Sequence, residues 1–206
     1  MLAMRLQPLI IPGWQNSGPE HWQSRWESTL PRALRVQQRD WETPLLTEWV
    51  AALSAAIEAS NRPPLLIAHS LGCIAVSQLP FAIRDKIAGA LLVAPADVER
   101  PGAPGHLRSF APVPLHTLPF PSVVVASSDD PYCSVARSRE FAQAWGSRFE
   151  LLENAGHINA DSGYGDWPEG LKLLAALRRR ARWRVPVAVH RTPPISAHCQ
   201  TDISHQ

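Results

Sequence analysis

Cysteine is scarce in this 206-residue chain: Cys73, Cys133 and Cys199 are odd in number and show no C-x-x-C spacing. That excludes a disulfide framework and a paired-cysteine zinc site. His198 beside Cys199 has no second ligand pair, so no metal and no organic cofactor is expected. Long hydrophobic runs are missing too. Leu65–Ala68 and Ala88–Ala94 are the longest strongly apolar stretches, well short of the roughly 20 residues a bilayer span needs. The N-terminus passes from Arg5 into a strand-like run with no signal-peptide core, and Met4 is an equally good start. A cytoplasmic protein without membrane association is the expectation. Charge of either sign is thin, at 18% of residues and a net +2. The one basic run, Arg178, Arg179, Arg180, Arg182 and Arg184, reads as a solvated helix end, where cations favour the negative pole of the macrodipole. With no basic face over the fold, a nucleic-acid partner is excluded, and no protein partner is indicated.

What is present is an ordinary globular composition, 45% hydrophobic, and a length that suits one domain of about 100–200 residues. Short β-rich runs alternate with amphipathic stretches, the pattern of βαβ units and a mostly parallel sheet flanked by helices. The spacing predicts strands at Gln7–Ile11, Arg35–Gln38, Leu65–His69, Gly89–Ala94, Ser122–Ser127 and Phe149–Leu152. Helices are predicted at Pro19–Thr29, Leu45–Ala59, Leu71–Leu79, Ser134–Trp145 and Pro168–Arg180. Proline-rich Pro95–Pro121 reads as an extended connection over the sheet edge. Residues 1–183 form the expected α/β domain; 184–206, polar and without periodicity, read as a disordered or loosely docked tail.

Three strand ends carry chemistry. The strand ending at His69 runs into Ala68-His69-Ser70-Leu71-Gly72 and then a helical pattern. This is the context of the G-x-S-x-G nucleophile elbow, with alanine for the first glycine; the competing reading makes Ser70 a plain helix cap. Apolar Val123–Val125 leads to Ser127-Ser128-Asp129-Asp130-Pro131, which puts carboxylates where open α/β sheets do their ligand chemistry, unless the string is only an Asx turn. The last strand is followed by Asn154-Ala155-Gly156-His157, where Gly156 permits an unusual backbone angle before the imidazole. The chain order Ser70, Asp130, His157, each past a separate strand, fits the α/β-hydrolase arrangement and differs from the chymotrypsin and subtilisin orders. Asp97 and then Asp129 are the competitors for the acid.

An oxyanion hole needs one amide after the serine and one from the loop after an early strand. Leu71 supplies the first, and Trp14, in the loop Pro12–Gly18, is expected to supply the second. That loop also spells G-x-x-x-x-G, but Pro19 and Glu20 stand where a phosphate-binding loop needs Lys and Ser/Thr, so nucleotide binding is excluded. Gly13, His69 and Tyr132 are expected to bind substrate; Trp14, Trp167, Tyr132 and Phe110 read first as core or surface aromatics and second as walls of an apolar acyl pocket.

Ile10-Ile11-Pro12-Gly13, the helix with His21-Trp22 and Trp26, the Ala68–Gly72 elbow, Ser127–Pro131 and Ala155-Gly156-His157 resemble the small serine hydrolases related to retinoblastoma-binding protein 9. The resemblance spans about residues 6–180. It implies an α/β-hydrolase fold with a minimal lid, and it implies Asp130, the second Asp of the D-D-P string, as the acid. The expected activity is cleavage of a carboxylic ester or related acyl bond in a small-molecule substrate through an acyl-enzyme. The alternatives are a peptidase or thioesterase, or a non-catalytic binding module on the same fold.

Overall fold

The computed structural model describes residues 6–182; the tail expected at 184–206 and its boundary at 183 lie outside the described residues. Six strands, β1 (Gln7–Ile11), β2 (Leu34–Arg35), β3 (Pro64–His69), β4 (Gly89–Val93), β5 (Ser122–Ser127) and β6 (Arg148–Leu152), form one sheet in the order β2-β1-β3-β4-β5-β6. Every pairing is parallel. The helices are α1 (Trp22–Thr29), α2 (Leu46–Glu58), α3 (Leu71–Ser77), α4 (Phe81–Arg84), α5 (Val135–Trp145) and α6 (Pro168–Arg182). Among the described residues no helix is long and apolar enough to cross a membrane.

Strand side chains alternate between two cores, as a period of two requires. Leu9, Ile11, Leu66, Ala68, Ala90, Leu92 and Val124 face α2, α3 and α5. Ile10, Leu65, Ile67, Leu91, Val93, Val123 and Val125 face α1 and α6. Both faces are covered, which is why β3, β4 and β5 are buried at every position.

The departures from the sequence expectation have local causes. β2 is two residues long and ends earlier than Gln38. Val36 N–H still reaches Ile10 O at 2.9 Å, but β1 then runs into Pro12, which has no amide hydrogen to continue the ladder. α1 starts at Trp22 rather than Pro19, because His21 is its N-cap and accepts the Gln23 N–H. Four-residue α4, set off by Pro80, was too short to be read from periodicity. The Pro95–Pro121 connection is not purely extended: it carries a 3₁₀ turn at Gly105–Phe110 and buries Leu107, Phe110, Val113, Leu118 and Phe120. It therefore roofs the first core and does not skirt the sheet.

Candidate active site

Ser70 follows β3 with φ 53° and ψ −121°, a conformation that costs about 1–3 kcal/mol and persists only where its surroundings impose it. Here the Ser70 N–H is tied to Val93 O at 3.0 Å and the Ser70 carbonyl accepts Cys73 N–H at 3.0 Å. Small neighbours are obligatory. A Cβ on Gly72 would lie 2.5 Å from Ile11 O and 2.6 Å from Pro12 O, and one on Gly13 would lie 2.7 Å from Ser70 Cβ. The end of β1 is thus pressed directly behind the elbow.

That contact brings the Pro12–Gly18 loop to the serine. Gln15 and Asn16 both have positive φ, 64° and 65°, and two polar side chains, half-buried Arg35 and buried Gln23, hold them. Arg35 donates to Asn16 Oδ1 at 2.7 Å, Ser17 O at 2.9 Å and Ser24 Oγ at 2.7 Å, with its remaining edge on Glu27 at 2.7 Å. Gln23, fully buried, donates to Ile11 O and Ile67 O and accepts from Ser17 Oγ. The backbone amides of Leu71 and Trp14 have no backbone acceptor among the described residues. In the sequence Arg35 shows only as a strand residue and Gln23 carries no signal, since a polar residue on an amphipathic helix gives no sign that it faces inward.

The string after β5 acts as a clamp for the loop after β6. Ser128 Oγ accepts Asn154 N–H, Ser127 Oγ accepts Ala155 N–H, and Asp129 accepts Gly156 N–H at 2.8 Å. The Ser127 hydroxyl and the Gly156 amide hold the Asp129 carboxyl below its usual range. Asp129 is thereby occupied, and Asp97 lies against Arg137 at 3.6 Å. Asp130 alone of the three meets the histidine: its oxygens are each 3.0 Å from His157 Nδ1. A carboxylate only accepts, so Nδ1 carries the proton, and Nε2, 2.9 Å from Ser70 Oγ, is left to accept the hydroxyl. From the other core, Trp22 Nε1–H donates to Ile158 O at 2.8 Å and Trp26 Nε1–H to Asp166 O at 3.0 Å, which pins the His157 loop to α1.

Two more imidazoles sit beside this array. His69 donates Nε2–H to His157 O at 2.9 Å, and its ring centroid is 4.8 Å from those of both His157 and His21. Burial, reinforced by His157, pushes the His69 pKa well down and that of His21 to about 4. Both are neutral near pH 7, which spares the His157 ring two adjacent cations.

Ser70, Leu71, His157, His69, Tyr132 and Trp14 share a cavity of about 450 Å³. Tyr132 stands edge-on to His157 at 4.6 Å. Gly13, expected as a substrate contact, is not on this wall; it is packed behind the serine. Trp167 and Phe110 are core residues, 5% and 0% exposed, in line with the first of their two readings. His21 and Arg100, unforeseen, do line the cavity. No sequence signal marked Arg100.

Residues 8–176 match the family model described as serine hydrolase. The fold resembles a YdeN-like protein of Pectobacterium atrosepticum at 36% identity and TM-score 0.77, covering 86% of this chain and 92% of that one. YdeN of Bacillus subtilis, named as a hydrolase, is 24% identical over 80% of this chain and 92% of its own. Est1E of Butyrivibrio proteoclasticus, at 14% identity and TM-score 0.62 over 86% of this chain and 88% of that one, shares the fold. The chain belongs to the serine hydrolase family.

Proposed function

From that membership as premise, we propose that the protein hydrolyses carboxylic esters, with Ser70 as nucleophile, His157 as general base and Asp130 as the carboxylate that orients the ring. The observation that carries this reading is the unbroken path from Ser70 Oγ through both nitrogens of one imidazole to Asp130. His157 Nε2 takes the hydroxyl proton as Oγ attacks the carbonyl carbon, and Asp130 stabilises the imidazolium that forms. The Leu71 and Trp14 amides receive the oxyanion. The proton then passes to the leaving alkoxide, the alcohol departs, and water repeats the sequence on the acyl-enzyme. No step calls on a metal or organic cofactor.

Within the family we place the chain beside the hydrolases related to retinoblastoma-binding protein 9, on the strings Ser127–Pro131 and Gly156-His157. Cys73 and Cys133, both buried and unpaired, suit a reducing cytoplasm. The test is hydrolysis of p-nitrophenyl acetate together with labelling by a fluorophosphonate: wild type turns over and is labelled, Ser70→Ala does neither. Equal rates for the two proteins would refute the assignment of Ser70. A panel of matched ester, thioester and amide substrates should rank the ester first.

A further inference from the structure

The cavity over Ser70 holds hydrogen-bond donors for which the protein provides no acceptor. Arg100 reaches it from the segment after β4. One of its nitrogens donates to the backbone carbonyl of Asp97 at 3.0 Å and the guanidinium lies 5.2 Å over the Tyr132 ring, yet it makes no ion pair among the described residues. The carboxylates nearby are committed elsewhere: Asp97, Glu99 and Glu140 all gather on Arg137. The fixed carbonyl and the aromatic face hold the cation in place without quenching its remaining donors. His21 also lines the cavity, but its Nδ1 accepts the Gln23 amide and its Nε2 is closed to solvent, so half-buried Arg100 is the donor that a bound molecule can reach. Asp161 is the one carboxylate on that wall outside the Asp130–His157 pair, and it is exposed at the rim, where solvent screens it.

We propose that the substrates are esters of short acids bearing a second, anionic oxygen group, and that Arg100 is the residue that selects them. This rests on the esterase reading of Ser70. The Arg100 guanidinium offers the planar, multi-donor edge that suits a carboxylate, and stacked on Tyr132, itself against His157, it stands beside the reacting centre.

The test compares ethyl hydrogen succinate with ethyl 4-methylpentanoate, which replaces the carboxylate by an uncharged isopropyl group; ethyl esters avoid the self-hydrolysis of aryl hemisuccinates. With ethanol release as the readout, wild type should favour the succinate in kcat/KM by about tenfold or more, the scale of one charge-assisted hydrogen bond. Added salt should shrink the ratio, Arg100→Gln should bring it near one, Arg100→Lys should keep part of it, and Asp161→Asn should raise it. A ratio of one in wild type, or a ratio that survives Arg100→Gln, overturns the proposal. Calorimetry on the Ser70→Ala protein decides the matter without turnover. Ethyl hydrogen succinate should bind about tenfold more weakly once Arg100→Gln is added, and unchanged binding would overturn the role of Arg100. Failure of wild type to cleave either ester would count instead against the esterase reading.

Discussion

Among the described residues, one hollow of about 450 Å³ and another of about 430 Å³ invite comparison. The smaller lies beside edge strand β2 between Gln7, Arg32, Leu34 and the end of α2 with Ser60 and Arg62. It has a serine and arginines but no base within reach, and Ser60 spends its hydroxyl on Ala56 O. The larger sits where β1, β3, β4, β5 and β6 end. The backbone tells them apart. Gln15, Asn16, Ser70, Ala94, Asn154 and Ile158 all have positive φ and all follow strand carboxyl ends, whereas Arg32 alone has it beside the edge hollow. Volume is shared by the two sites; strained backbone gathers at several strand ends around one and at a single turn beside the other. Strain of this kind persists where packing over-determines the geometry.

The contrast is sharpest at the two serines. Ser70→Ala should lower kcat on a simple ester by about 10⁶-fold, the scale for a nucleophile that works as a unit with its base, while Ser60→Ala should leave turnover within about twofold of wild type. A large loss at Ser60 would break the comparison. Asp130→Asn should cost about 10⁴-fold, as expected when the ring loses its orienting charge. Asp129→Asn, which only loosens the clamp on Gly156, should cost far less; the reverse order would exchange the roles of the two acids.

Gly13→Ala comes next, since its Cβ would press on Ser70 Cβ at 2.7 Å. A displacement of the nucleophile on this scale is expected to lower kcat by about 10²-fold, with cooperative unfolding retained in urea. Arg35→Met removes the donors that hold the left-handed Gln15-Asn16 pair and should lower kcat by about tenfold with KM little changed, because the oxyanion amide acts mainly in the transition state. A change confined to KM would argue against that role.

The last effect is on stability and leaves the rate aside. His21 has its pKa pushed down to about 4 in the folded chain against 6.5 when exposed. Between those values the unfolded chain binds the extra proton, so the stabilisation is fully present above pH 6.5 and is lost as pH falls toward about 4, with a total of roughly 3 kcal/mol. His21→Asn keeps an N-cap acceptor and should flatten this part of the urea-midpoint profile. The wild-type slope, if unchanged in the variant, would assign it to His69 alone.

Much of the carboxyl rim was legible because its parts are local. Ser70 and Asp130 each follow a strand buried at every position, His157 follows the half-buried β6, and Gly72 and Gly156 mark the turns that need small residues or positive φ. The edge was less legible: the length of β2 depended on Pro12, a residue of its neighbour, and the role of Asp129 depended on an amide 27 positions away. Gly13, expected as a substrate contact and instead packed behind Ser70, has its own cause. Residue type states what a side chain can do, and only its neighbours state which side of a wall it occupies.

By itself the amino-acid sequence determined the alternation of strand and helix, the burial of both sheet faces and the three strand ends that carry reactive groups. These follow from hydrophobic period and from the residues that interrupt it, which act over a few positions. Only the tertiary structure decided which carboxylate meets the imidazole, which amides stay free of backbone acceptors and, among the described residues, that the cation lining the cavity has no counter-ion. Those are contests among groups far apart in the chain for the same few ångströms, settled when the sheet brings them together.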